Sequence, residues 1–184
     1  MSVSGGGISL SERFGYLIGV GSNLSPRDNC EQVVGAVLAC FGRLSLSSAV
    51  HTEPVGVSTP NAFINLMLYI ETDWPAERLK DWTNALEERL GRDRSHPERK
   101  MIDRPADLDT LQQLVPGQAL QPELIRESYY RDIVRELAAH LEGAAPRPTA
   151  LPVCRLRLMD GSEVGDGAAT IHLDRATGRI GIVQ

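Results

Sequence analysis

Ten residues, Phe63–Thr72, set the strongest constraint on the fold of this chain. Phe63, Asn65, Met67 and Tyr69 fall on one face of an extended segment, and Ile64, Leu66, Leu68 and Ile70 on the other. That alternation predicts a strand. Immediately afterwards the period changes. Across residues 75–90, Leu79, Trp82, Leu86 and Leu90 recur on one side of a helix, and Gly91 ends it. A polar, highly charged loop follows at 92–103.

The flanking segments fill in a pattern. Residues 16–21 are an apolar run closing in Gly21-Ser22-Asn23, which suits a buried strand and a tight turn. Residues 29–41 place Val33, Val34, Val37, Leu38 and Phe41 on one helix face, with Pro26 in the first turn and Gly42 at the end. A second strand is predicted at 44–52, a Pro- and Gly-containing loop at 53–61, and a fourth strand at 107–111. The order βαββαβ is the split β-α-β plan of ferredoxin-like folds, an α+β architecture. Beyond it, 122–141 reads as one further helix. After a Pro- and Gly-rich break come strand-like pieces at 153–158, 168–174 and 179–183, the last two joined as a β-hairpin by Asp174-Arg175-Ala176-Thr177-Gly178. The expected organisation is a loose tail at 1–13, one α+β domain at 14–145, and a β-rich extension at 146–184 packed on the same domain.

Arg104-Pro105-Ala106-Asp107-Leu108-Asp109 carries the chemistry. In a strand Asp107 and Asp109 point the same way while Leu108 turns into the core. Neighbouring carboxylates on one face repel unless a cation lies between them, and hard divalent ions are their usual partners. Alone, such a pair is more often a solvated strand end. A net charge of −5 gives no basic field for a nucleic acid. No segment approaches the ~20 apolar residues of a membrane-spanning helix. Cys30, Cys40 and Cys154 form no C-x-x-C pair, which fits a reducing cytoplasm.

Five motifs occur in order: Gly19-Val20-Gly21-Ser22-Asn23-Leu24, Thr52-Glu53-Pro54-Val55-Gly56, Phe63-Ile64-Asn65-Leu66, Glu87 with Gly91-Arg92-Asp93-Arg94, and Arg104 with Asp107 and Asp109. Together they resemble 6-hydroxymethyl-7,8-dihydropterin pyrophosphokinase, over roughly residues 16–111. The resemblance implies ATP-dependent transfer of pyrophosphate to the hydroxymethyl group of a reduced pterin in folate biosynthesis, releasing AMP. It implies ATP as co-substrate and two Mg2+ ions held by Asp107 and Asp109. It places Arg92 and Arg104 on the phosphates as catalytic groups, with Glu87, Arg94 and Arg131 about the ATP. Thr52, Pro54, Val55 and Gly56 lie by the pterin, Phe63 stacks on it and Asn65 hydrogen-bonds it. The partners implied are small molecules, with neither nucleic acid nor membrane, in a monomer or homodimer.

Each residue also has a plainer reading. Phe63 suits a core aromatic, Arg92 and Arg94 suit charges at a helix C-terminus, and Glu87 suits a surface acid. Asn65 is different, because a buried amide without partners is costly. Glu123 stands where the family carries a histidine, and Ile133 stands where it carries a second aromatic, with Tyr129 and Tyr130 close by. Three readings therefore stand: an active pterin pyrophosphokinase, a pterin- or nucleotide-binding relative without turnover, and a pyrophosphokinase for a different pterin.

Overall fold

The computed structural model describes residues 13–55, 59–97 and 102–184. Strand β1 (Phe14–Ser22) leads into helix α1 (Pro26–Phe41), followed by β2 (Arg43–Leu46), β3 (Val50–Thr52) and β4 (Phe63–Thr72). Helix α2 (Ala76–Arg89) precedes β5 (Asp107–Leu114). Antiparallel pairing gives the order β5-β1-β4-β2, the ferredoxin-like arrangement that the βαββαβ reading predicts. Each helix lies between two strands that a third separates in the sheet.

One face of this sheet packs on α1 and α2. Val33, Val34, Val37, Leu38, Leu79 and Leu86 meet Ile18, Val20, Leu66, Leu68 and Leu108 there. Fully burying such a side chain contributes ~1.5–3 kcal/mol. The opposite face carries Leu17, Met67 and Leu114 and is covered by α3 (Ser128–Leu141) through Ile133, Val134 and Leu137. The double apolar character of β4 follows from this, since helices cover both its sides. At the far end of β4, Phe41, Trp74 and Trp82 form an edge-on trio with ring centroids 5.0, 5.4 and 6.4 Å apart.

The structure departs from the sequence reading in four places. The second strand is not continuous over 44–52. At Ser48 the backbone N–H and the hydroxyl both donate to the buried carboxylate of Glu136 on α3, at 2.8 and 2.7 Å, so the chain breaks between β2 and β3. The fourth strand runs three residues further than 111, to Leu114, despite its polar residues; Gln112 is held by two hydrogen bonds with the backbone of Gln121. The helix expected at 122–141 is interrupted. A 3-10 turn covers Pro122–Leu124, Ile125 is extended (φ −78°, ψ 123°), and α3 starts only at Ser128. In the tail, β6 (Leu156–Arg157) is shorter than expected and pairs with β7 (Glu163–Val164), a strand absent from the sequence reading. The hairpin β8 (Ala169–Leu173) and β9 (Ile180–Val183) forms where predicted, and β8 pairs with β2, extending the main sheet. Of the tail expected at 1–13, only Arg13 is among the described residues.

Candidate active site

Gly21 sets the layout. It is register partner to Asn65 on one side and Asp107 on the other. Directly opposed residues share a face, so Asp107, Gly21 and Asn65 form one row on the side of the sheet that α3 covers. With strands ~4.8 Å apart, the row spans about 10 Å from carboxylate strand to amide strand. Leu108 points the other way and is fully buried, which leaves Asp107 and Asp109 on the same side, as their spacing predicts.

At the Asp107 end the charges interlock. Asp107 accepts hydrogen bonds from Arg92 and from Arg104, the latter at 2.6 Å. Arg92 also bonds the Ala106 carbonyl (3.1 Å) and lies 3.1 Å from Glu87. Burial works to raise the Asp107 carboxyl, but the Arg92 hydrogen bond and the charges of Arg92 and Arg104 outweigh it and hold the group below its ordinary range. Asp109 is more exposed, with Lys80 Nζ 3.8 Å away.

Glu87 overturns its reading as a surface acid. Its side chain is 1% exposed, takes the Leu108 N–H at 2.7 Å, and pairs with both Arg92 and Arg94. Burial pushes its carboxyl up, while the Leu108 amide and the two guanidinium groups pull it back. A buried acid facing two arginines explains why the chain can carry Arg92 so far inside. Arg92 and Arg94 are therefore held by carboxylates rather than by the end of α2. Arg94 also donates to Asn84 (2.6 Å).

At the Asn65 end every amide atom has a protein neighbour of the right kind. Asn65 is 3% exposed, its Nδ2 donates to Thr52 Oγ1 (2.6 Å), and its Oδ1 accepts from the Tyr130 hydroxyl (2.8 Å). A Cβ on Gly21 would fall 2.8 Å from that same Oδ1, 3.6 Å from the Tyr130 hydroxyl and 3.9 Å from Phe63. The glycine leaves a hollow that the other three residues line. Phe63 is half-buried, opposite Thr52 in the β3–β4 pairing, instead of lying in the core. Pro54 is half-buried and Val55 exposed in the loop beyond Thr52, while Gly56 lies outside the described residues.

Other expected residues stand apart. The Arg131 guanidinium binds the Ile125 carbonyl at 2.8 and 3.3 Å, securing the chain before α3. Glu123 is exposed on the 3-10 turn, and Ile133 is core. Sequence reasoning missed Asn23 and Asp103. Asn23 Oδ1 accepts the Arg104 N–H (2.8 Å), its Nδ2 donates to Asp103 (2.6 Å), and Asp103 also accepts from Asn61 (2.5 Å). The Gly-Ser-Asn ending of β1 was the available signal: its asparagine fixes the backbone that carries Arg104.

A model of the 7,8-dihydro-6-hydroxymethylpterin-pyrophosphokinase family matches residues 17–134, well over half of the chain. The chain belongs to this family. Two proteins described as 2-amino-4-hydroxy-6-hydroxymethyldihydropteridine pyrophosphokinase, from two strains of Porphyromonas gingivalis, are each 31% identical to it over 140 residues, covering 71% of this chain and 95% of the relative. As a pterin pyrophosphokinase the chain is an enzyme of folate biosynthesis, a transferase of pyrophosphate from ATP to hydroxymethyldihydropterin. The match takes in the whole row from Asp107 to Asn65 and the first turns of α3, and ends before the β6–β9 tail. No helix among the described residues is long and apolar enough to cross a membrane.

Proposed function

We propose that the Asp107–Gly21–Asn65 row divides the reaction between its two ends, with the polyphosphate of ATP at Asp107 and the pterin at Asn65. The donor set fits the expected magnesium. Asp107 and Asp109 offer hard carboxylate oxygens on one side of a strand, Asp109 is open to solvent, and Asp107 is kept ionised by its arginines. When bound there, two Mg2+ ions would supply charge neutralisation across the phosphates.

The chain's own groups then do the following. Asp107 keeps Arg92 and Arg104 converged on one point, so their planar forks are preorganised for phosphate oxygens. Glu87 holds Arg92 in a place from which water is largely excluded. Thr52 and Tyr130 fix the orientation of the Asn65 amide, leaving its second N–H and second oxygen lone pair to read the edge of a flat heterocycle. Phe63, on the same strand face, supplies the stacking surface. A pterin so held brings its hydroxymethyl oxygen over Gly21, the position without a side chain. That oxygen gives up its proton to solvent and forms a bond to the β-phosphorus, while the bond from this phosphorus to the α–β bridging oxygen breaks and AMP leaves with the electron pair on that oxygen. Pro54 and Val55 border the pterin side, and Arg94 supports the nucleotide side from Glu87. The protein works as a monomer or homodimer.

The shared row carries this reading. Calorimetry with a non-hydrolysable ATP analogue tests it: tight binding that requires magnesium, lost in Asp107→Ala together with AMP release, is the expected result. Binding of equal strength without magnesium, or turnover unaffected in Asp107→Ala, would overturn it.

A further inference from the structure

The tail beyond the family match builds a second pocket, on the α3 face at the end of the sheet away from Asp107. Its volume is about 610 Å3, and Arg43, His140, Leu141, Thr170, His172 and Val183 line it. Five of these six residues follow residue 134, where the family match ends. The pocket therefore belongs to what this chain adds to the pyrophosphokinase plan.

Arg43 and His172 are direct cross-strand partners in the β2–β8 pairing, which sets a guanidinium and an imidazole side by side on one face. Among the described residues neither lies within salt-bridge distance of an acid. The His172 ring lies against Gly181 of β9, where any Cβ would collide with it. From α3, His140 Nε2 meets Thr170 Oγ1 at 2.9 Å, and Thr170 meets Ser45 Oγ at 2.7 Å. This hydroxyl chain, with Thr170 and Ser45 both buried, fixes the His140 ring. Leu141 and Val183, 39% and 58% exposed, form an apolar wall beside Arg43 and the two imidazoles.

We propose that Arg43, His172 and His140 form a binding pocket for a small organic anion, a carboxylate or phosphate carried on an apolar body. The Arg43 fork grips two oxygens of the anion, His172 donates from the neighbouring strand, and Leu141 and Val183 receive the apolar part. An anion between Arg43 and His172 accepts N–H donors from both strands. The inference is independent of the site at Asp107, which lies at the other end of the sheet.

The test is an NMR titration of the full chain with benzoate and, separately, inorganic phosphate, at constant ionic strength, following the His140 and His172 ring protons. Saturable shifts of these rings at millimolar anion are expected. Arg43→Gln and His172→Gln should each weaken binding at least tenfold, while Arg89→Gln on the opposite face leaves it unchanged. Saturation by benzoate alone identifies a carboxylate with an apolar body, and saturation by phosphate identifies the phosphate group. Absence of saturable shifts with both anions overturns the proposal. So does equal weakening by Arg89→Gln, which would reduce the effect to net charge.

Discussion

The Tyr130 hydroxyl donates to Oδ1 of Asn65 across 2.8 Å, joining α3 to β4 over 65 residues of sequence. This bond decides which way the amide faces, because Thr52 takes the opposite end. Removing it in Tyr130→Phe keeps the ring and its packing. One neutral hydrogen bond contributes ~0.5–1.5 kcal/mol, so the Kd for pterin should rise about three- to tenfold. Affinity for an ATP analogue should not change. Parallel calorimetric titrations of the two ligands check this, and an equal loss for both would show a general disturbance instead.

Gly21→Ala places a methyl 2.8 Å from Asn65 Oδ1. Asn65 cannot retreat without breaking its bonds to Thr52 and Tyr130. The expected outcome is loss of pterin binding by at least an order of magnitude, with overpacking destabilising the fold by about 1–3 kcal/mol. Magnesium-dependent nucleotide binding should persist, since the Asp107 end of the row is untouched. Steady-state KM values for both substrates separate the two effects.

Glu87→Gln preserves an acceptor for the Leu108 N–H but removes the negative charge facing Arg92 and Arg94. Breaking one partner of a buried ion pair costs roughly 3–5 kcal/mol, and the partial exposure of Arg94 lowers the expectation to about 2–4 kcal/mol. Urea unfolding should show that loss. A change below about 0.5 kcal/mol would place Glu87 among surface groups after all.

Acid titration offers a fourth check. The folded carboxyl of Asp107 lies below its ordinary value of 3.8, so ionisation favours the folded state. The stabilisation is fully present above that value and is lost as pH falls through the lower folded one. Asp107→Asn should therefore be less stable than the parent near neutral pH, by about 1–3 kcal/mol from its two guanidinium hydrogen bonds. The gap should close below pH 3.8. Unfolding curves measured without magnesium across that range would reveal a constant gap if the charge on Asp107 were irrelevant.

Local periodicity made most of the scaffold legible. The alternation of Phe63–Thr72 and the helical faces of α1 and α2 are properties of consecutive residues, and the βαββαβ order followed from them. The shared side of Asp107 and Asp109 was equally readable, because one buried leucine between two acids permits little else. What escaped depends on partners far away in sequence. The break at Ser48 exists because Glu136, 88 residues later, captures its N–H and hydroxyl. Glu87 looks like any acid on a solvent-facing turn until β5 and two arginines close over it. Tyr130 became visible as a neighbour of Asn65 only once α3 was laid across the sheet, and the late start of α3 was hidden by a proline that opens a 3-10 turn instead.

The trio of Phe41, Trp74 and Trp82 has a practical corollary. Both tryptophans of the chain lie in it, one strand length from Phe63, or roughly 30 Å at ~3.3 Å per residue. Intrinsic emission will accordingly track the loss of this edge-on packing between α1, α2 and the end of β4. Melting curves recorded optically thus report the unfolding of that end of the sheet.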